Sequence, residues 1–368
     1  MVLIPGPVWL FGPLYPARMI FGRRGRERFL DALTGFEAAV REQDTDGAER
    51  AFQQVYRGFR KATDEETGQA GPRLAALLPQ VPPGPDGMIA VMTGACVEKG
   101  ADASRCAPYV LDGLAEALTA AGEFCARWAA SGGGDLPDPE SDAPDDAVLA
   151  RVGPRAAAAW WTLPQWEMAS VAMLNHASVR TGAGAERRTR LLESLRIVQE
   201  ATGHDFKCLW YALLVLDEEP LVALHRPTGT GYALRMSGIG DTFQLHTLLA
   251  DVLVGGGHLP GRAPSPQEAA VCRTAPGQVP TTGSFNLVAP DGTWLWNEGT
   301  PCDIPVVDGV RLLVLDPPPY ERGWPAGRFF PHMTGDLVLE RVLGEEETRR
   351  LLAGCSPARR VNGTAPSG

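Results

Sequence analysis

The sequence predicts an α+β chain, with a helical N-terminal half followed by a mostly antiparallel, β-rich C-terminal half. Two observations carry that reading. Apolar residues recur at helical spacing up to about residue 203, and from about residue 206 short apolar runs punctuated by Gly, Pro and Asp replace them. A third observation is negative: no GxGxxG follows a strand-like run and no GxxxxGK[ST] occurs, so a doubly wound nucleotide-binding sheet lacks its usual signature.

Residues 1–23 read as an irregular apolar segment. Val2 to Phe21 is apolar but interrupted by Pro5, Pro7, Pro13 and Pro16, which a spanning helix tolerates poorly. Arg23, Arg24, Arg26 and Arg28 follow the apolar run rather than precede it, the reverse of a signal peptide. No transmembrane segment is expected. A peripheral membrane contact through residues 2–28, led by Trp9, Leu10 and Phe11, is the sharper alternative.

Residues 24–203 read as an all-helical domain. Phe29, Leu30, Leu33, Phe36 and Val40 form one apolar stripe, and Ala51, Phe52, Val55, Tyr56 and Phe59 a second. The break at Asp44-Thr45-Asp46 turns the two into an antiparallel hairpin. Helical patterns resume at Met88 to Lys99 and at Ala107 to Trp128, the latter facing inward through Leu111, Leu114, Leu118 and Cys125. Residues 131–146 carry consecutive glycines, three prolines and only acidic charges, and are expected to be a mobile surface loop and the first site of limited proteolysis. Further helices are expected at Val148 to Trp161, Pro164 to Arg180 and Glu186 to Ala201. Pro164 suits a first turn and Gly203 a C-terminal stop. Trp160, Trp161 and Trp166 would form an aromatic plug. Arg180, Arg187, Arg188 and Arg190 read as a solvated face.

Residues 204–355 read as an α+β domain with a mostly antiparallel sheet. Leu209 to Leu216, Leu221 to His225 and Tyr232 to Met236 are expected to form a three-stranded meander. Asp241 then caps a helix from Phe243 to Val254, after a turn at Gly238 and Gly240. Residues 255–266 form a Gly/Pro-rich loop. Ser284 to Ala289 and Trp294 to Glu298 flank a Pro290-Asp291-Gly292 turn as a hairpin. Strands at Val310 to Leu315 and Leu337 to Val342 precede a helix at Glu345 to Leu352. Residues 356–368 read as a disordered tail.

Composition narrows function by exclusion. The net charge of −10 and the lack of a dense basic surface argue against nucleic acid and favour a protein partner. Lys is confined to Lys61, Lys99 and Lys207, a bias expected of a GC-rich bacterial coding sequence. The 7 cysteines, odd in number and without a CxxC, suit reduced thiols in the cytoplasm rather than a disulfide framework.

No HExxH, GxSxG or kinase signature set is present. Four weaker constellations remain. His204 and Cys208 are half of a possible zinc site. The Gly238–Thr242 turn could hold an anion at a helix start, but the Asp241 carboxylate would occupy the same N–H donors. Cys302, in an exposed loop, could act as a thiolate nucleophile if His246 or His332 lay beside it. The loop 316–332 carries Tyr320, Arg322, Trp324 and Arg328 between prolines, a composition common at binding surfaces. The expectation is a cytoplasmic, non-catalytic interaction or scaffold protein that binds a protein partner through its β-rich half. The alternative is a Cys/His-based transferase or hydrolase with its site in the C-terminal domain, which a convergence of His246, Asp241 and His332 would favour. The sequence names no cofactor and no oligomeric state.

Overall fold

A computed structural model describes residues 29–141 and 143–359. The apolar N-terminal segment, its membrane contact and the end of the tail lie outside the described residues. Within them the α+β division holds. Nine helices occupy the first part: α1 (Phe29–Arg41), α2 (Thr45–Phe59), α3 (Asp64–Leu77), α4 (Pro85–Glu98), α5 (Ala103–Ala130), α6 (Asp146–Val152), α7 (Pro154–Leu174), α8 (Ala177–Thr202) and α9 (Lys207–Leu214).

The expected hairpin forms from α1 and α2, with Phe29 on Phe59 at 6.1 Å and Phe36 on Phe52 at 5.3 Å between ring centroids. Asp44 caps α2 by accepting from the Gly47 N–H. The period of α3 is masked by Gly68, Gly71 and Pro72, but a Thr63/Glu66 capping box starts it and Leu74 and Ala75 are fully buried. Pro164 begins no helix. It lies inside α7, and Pro154 takes the first turn instead. Gly203 stops α8 in the left-handed conformation, its N–H donating to the Gln199 carbonyl. The aromatic plug is real, with Trp160 stacked on Phe124 at 5.0 Å and Trp166 buried. Residues 131–141 and 143–145 carry no helix or strand, yet the backbone at 134–137 is held. Trp160 Nε1–H donates to the Pro137 carbonyl at 2.9 Å, Trp128 Nε1–H reaches the Gly134 and Asp135 carbonyls, and Leu136 packs on the core.

Two expectations at the junction fail. Lys207–Leu214 is helix, not the first strand of a meander. Its apolar run is short, and periodicity alone does not separate a short strand from a short helix packed against others, here α7 and α8. The arginines of α8 are not a solvated face either. Arg180 is 2% exposed and forks onto Asp217 at 2.7 and 2.5 Å, with a further bond to the Leu174 carbonyl. Arg188 donates to the Val215 carbonyl and Arg187 to Asp112, which leaves Arg190 outward. These arginines tie the helices to the entry of the sheet.

The second part contains β1 (Glu219–His225), β2 (Thr230–Ser237), α10 (Thr242–Ala250), α11 (Pro266–Arg273), β3 (Val279–Thr282), β4 (Asn286–Val288), β5 (Val306–Val307), β6 (Val310–Asp316), β7 (Gly323–Ala326), β8 (Asp336–Val342) and α12 (Glu345–Ala353). The main sheet runs β4-β6-β1-β2-β8, with β5 on β6. Among the described residues only β1 and β6 pair in parallel. Alternation along β1 sends Leu221 and Ala223 to a core under α10 and Val222 and Leu224 to the face covered by α12. α10 ends in a π-helical turn, Asp251–Gly255. The expected hairpin at 284–298 shrinks to β4 and a single bridge from Val288 to Trp294. The middle of the 316–332 loop is strand, β7, paired with β3 as a separate ribbon. Beyond it Phe330 and Met333 plug into the helical core. The tail does not fray at its start. Ser356 and Arg359 N–H groups donate to the Pro290 and Gly292 carbonyls.

Candidate functional site

The site residues expected from the sequence do not form one hydrogen-bonded group among the described residues. His204 and Cys208 are exposed, and the His204 ring packs edge-on against Phe206 at 4.6 Å. Among the described residues, no three His, Cys, Asp or Glu side chains gather as a metal ion would need. Cys302 is half-buried beside Arg311, whose guanidinium lies 3.9 Å from the sulfur, donates to the Cys302 and Ile304 carbonyls and pairs with Glu219 at 2.7 Å. That arginine fixes the loop carrying the thiol. His332 is exposed and close enough to His176 to hold down that ring's pKa, after burial and Arg180. Asp241 caps α10 through the Gln244 N–H at 2.8 Å. Burial pushes its carboxyl up to about 6, against the pull of Lys207. No hydrogen bond joins His246, Asp241, Cys302 or His332 to one another among the described residues.

The binding residues expected in the 316–332 loop divide. Arg328 turns away to the Ala275 carbonyl at 2.6 Å and the Pro331 carbonyl at 2.5 Å, a clamp on the loop. Tyr320, Arg322 and Trp324 instead gather with His246 and with Trp294, which the sequence reading passed over. The Arg322 guanidinium lies over two aromatic rings, 4.9 Å from the Tyr320 centroid and 5.4 Å from that of Trp294. Its Nη2–H donates to the Asn286 side-chain oxygen at 2.9 Å. The Trp324 ring sits 5.2 Å from His246 and 5.7 Å from Phe243.

Local backbone explains the convergence. Leucines before and after His246 on α10 bury that face of the helix, and His246 goes in with them at 1% exposure. The burial alternation of β7 extends back to Arg322, one residue before the strand, so Arg322 and Trp324 share one side. Gly283 lets them in: a Cβ there would stand 2.6 Å from the Trp324 ring. β4 supplies Asn286, and the chain after it supplies Trp294 and Asn297.

The hydrogen bonding of this cluster is incomplete. Arg322 is 8% exposed and forms no ion pair among the described residues, and its Nε–H has no acceptor. The indole N–H groups of Trp294 and Trp324 are buried without acceptors, and both ring nitrogens of His246 are unbonded. Burial, then the Arg322 charge, holds the His246 imidazolium down to a pKa of about 3. The Asn297 side chain faces the ring and opposes that shift without the geometry of a formed hydrogen bond. At neutral pH the imidazole is uncharged, with one donor and one acceptor nitrogen. Buried N–H groups without partners cost about 1–3 kcal/mol each, so several in one place are not neutral to folding. The sequence signal that could have found Trp294 was the Trp294-Leu295-Trp296 alternation beside a turn. The chain matches no protein-family model, no curated protein and no solved structure.

Proposed function

We propose that the chain is a non-catalytic recognition protein that binds its partner through the β-rich half, at the face carrying Tyr320, Arg322 and Trp324. The observation that carries this reading is Arg322, a buried cation with no carboxylate partner among the described residues, lying over two aromatic rings. Arg, Trp and Tyr are the side chains that dominate binding energy when desolvated in a prearranged site. Tyr320 and Trp296 are 60% and 62% exposed, large aromatic surfaces available to a macromolecular partner. The lack of any hydrogen bond among His246, Cys302 and His332 in the described residues weighs against a Cys/His enzyme. The one observation in favour of an enzyme is the neutral His246 imidazole with both nitrogens free, which is the state a general base needs. It has neither a nucleophile nor an orienting carboxylate bonded to it. Among the described residues no helix is long and apolar enough to cross a membrane, which fits a partner met in water.

A photo-crosslinker tests this. Tyr320→p-benzoylphenylalanine and, on the helical half, Ile197→p-benzoylphenylalanine are expressed in the native host. The reading expects a protein captured from position 320 and not from 197. Rebuilt from purified components, that complex should lose at least tenfold in affinity on Trp296→Ala. Capture from 197 alone, or an unchanged affinity in Trp296→Ala and Tyr320→Ala, overturns it.

A further inference from the structure

The recognition face has an interior with a definite chemical preference. Among the atoms left without partners, Arg322 Nε–H, Trp294 Nε1–H and Trp324 Nε1–H are donors only, and neutral His246 adds a fourth N–H. Asn286 has already committed its oxygen to Arg322. Asn297 acts to raise the His246 pKa, the sense of an amide oxygen facing a ring N–H, which leaves the other ring nitrogen as a spare acceptor. The cluster is therefore rich in donors, poor in acceptors, and carries one positive charge without a counter-charge. A buried arginine is normally neutralised by a carboxylate, as Arg180 is by Asp217 in the same chain. A neutral polar guest would satisfy a donor or two but leave the charge bare, and a cation would be repelled. An apolar guest would leave every donor orphaned.

We infer that the Arg322–Trp294–Trp324–His246 cluster is a binding site for an oxyanion group, a carboxylate or a phosphate. This rests on the reading of the β-rich half as the recognising part, and it names what that half recognises. Guanidinium and indole N–H groups present charge and direction together, and a desolvated charge-assisted hydrogen bond is among the strongest that a protein makes. The guanidinium lies over the Tyr320 and Trp294 rings and is bonded to Asn286, so little side-chain freedom remains to be lost on binding. The group could arrive as a free ion or on a larger ligand, whose remainder would meet the exposed Tyr320 ring.

Isothermal titration of the full chain at constant ionic strength tests the site with inorganic phosphate, acetate, phenyl phosphate and phenylacetate as probes. The inference expects saturable one-to-one binding of at least one oxyanion. It expects a loss of at least tenfold in Arg322→Gln, and of at least threefold in Trp324→Phe and Trp294→Phe. Tighter binding of the phenyl compounds assigns the group to a larger ligand, and equal binding assigns it to the free ion. Both support the site. Arg322→Lys keeps the charge but not the fork and should fall between wild type and Arg322→Gln. If Arg322→Gln does not fold, the two tryptophan variants carry the test. Absence of saturable binding by all four probes, or binding unchanged in the folded variants, overturns the inference. The crosslinking result stands apart from this, because a partner captured at 320 without oxyanion binding would retain the recognition reading and discard only the anion.

Discussion

Trp160 in the helical half and Trp324 in the β-rich half are both buried, at 2% and 8% exposure, yet their indole N–H groups end differently. Trp160 donates to the Pro137 carbonyl and Trp128 nearby to those of Gly134 and Asp135, so a loop of acidic composition is folded back to complete them. Trp324 and Trp294 have no such acceptor. The arginines repeat the contrast. Arg180 reaches Asp217 and a carbonyl, whereas Arg322 reaches one amide oxygen and two aromatic faces. Orphaned polar atoms also occur outside the cluster, at Ser170, Asn175 and Arg188 in the helical half and at Arg328 in the β-rich half. In the β-rich half four side chains bring theirs to one cluster. The buried indoles of Trp128 and Trp160 and the buried Arg180 are completed by the chain itself. The cluster around Arg322 stays donor-rich, and that difference is what the proposed recognition site rests on.

The largest expected effect breaks the contrast on the scaffold side. Arg180→Met leaves the Asp217 carboxylate largely buried and uncompensated, and should cost about 3–5 kcal/mol in urea unfolding. A cost under about 1 kcal/mol would mean that the junction does not depend on this pair.

Next comes pH, where the site and its flanking cap have opposite signs. The Asp241 carboxyl sits at about 6 in the fold against an ordinary value near 3.8, so the folded state holds that proton more tightly. Its contribution is full below about pH 4 and is lost as pH rises through 6, on the order of 2–3 kcal/mol at about 1.4 kcal/mol per pH unit. Asp241→Asn keeps the cap and removes the titration, so its stability relative to wild type should climb from pH 4 to pH 6. His246 is depressed to about 3 from 6.5, so its contribution is present above about 6.5 and is lost as pH falls toward 3. His246→Leu should therefore gain most over wild type at low pH. Unfolding curves at a series of pH values check both, and parallel curves for wild type and variants would contradict the burial of either group.

A smaller effect sharpens the comparison itself. Trp160→Phe removes an indole N–H that has an acceptor, and Trp324→Phe removes one that has none. The first should cost more than the second by about 1 kcal/mol. Equal costs would show that Trp324 has an acceptor of its own.

The division into helical and β-rich halves was legible because apolar period and turn residues are local properties. Leu33, Phe36 and Val55 announced α1 and α2, and Asp241 announced α10 three residues before the Gln244 N–H it accepts. α3 was not legible, since Gly71 and Pro72 suppress the helical pattern although Ala70, Leu74 and Ala75 fill the core. α9 was misread because burial on several faces erases the period that would identify it. Of the site, Tyr320, Arg322 and Trp324 were legible as a composition. Their separation from Arg328 was not, because it depends on β7 pairing with β3, a contact between distant segments. The roles of Arg180 and Asp217 were hidden for the same reason, since the pair is 37 residues apart in sequence.

The most direct measurement is the ¹H–¹⁵N spectrum of the tryptophan indoles, recorded on the full chain while inorganic phosphate, and separately acetate, is added at constant ionic strength. The account predicts that the Nε1–H resonances of Trp294 and Trp324 move saturably with at least one anion while those of Trp128 and Trp160 stay fixed. Static Trp294 and Trp324 resonances with both anions, or equal movement of all four, would contradict it.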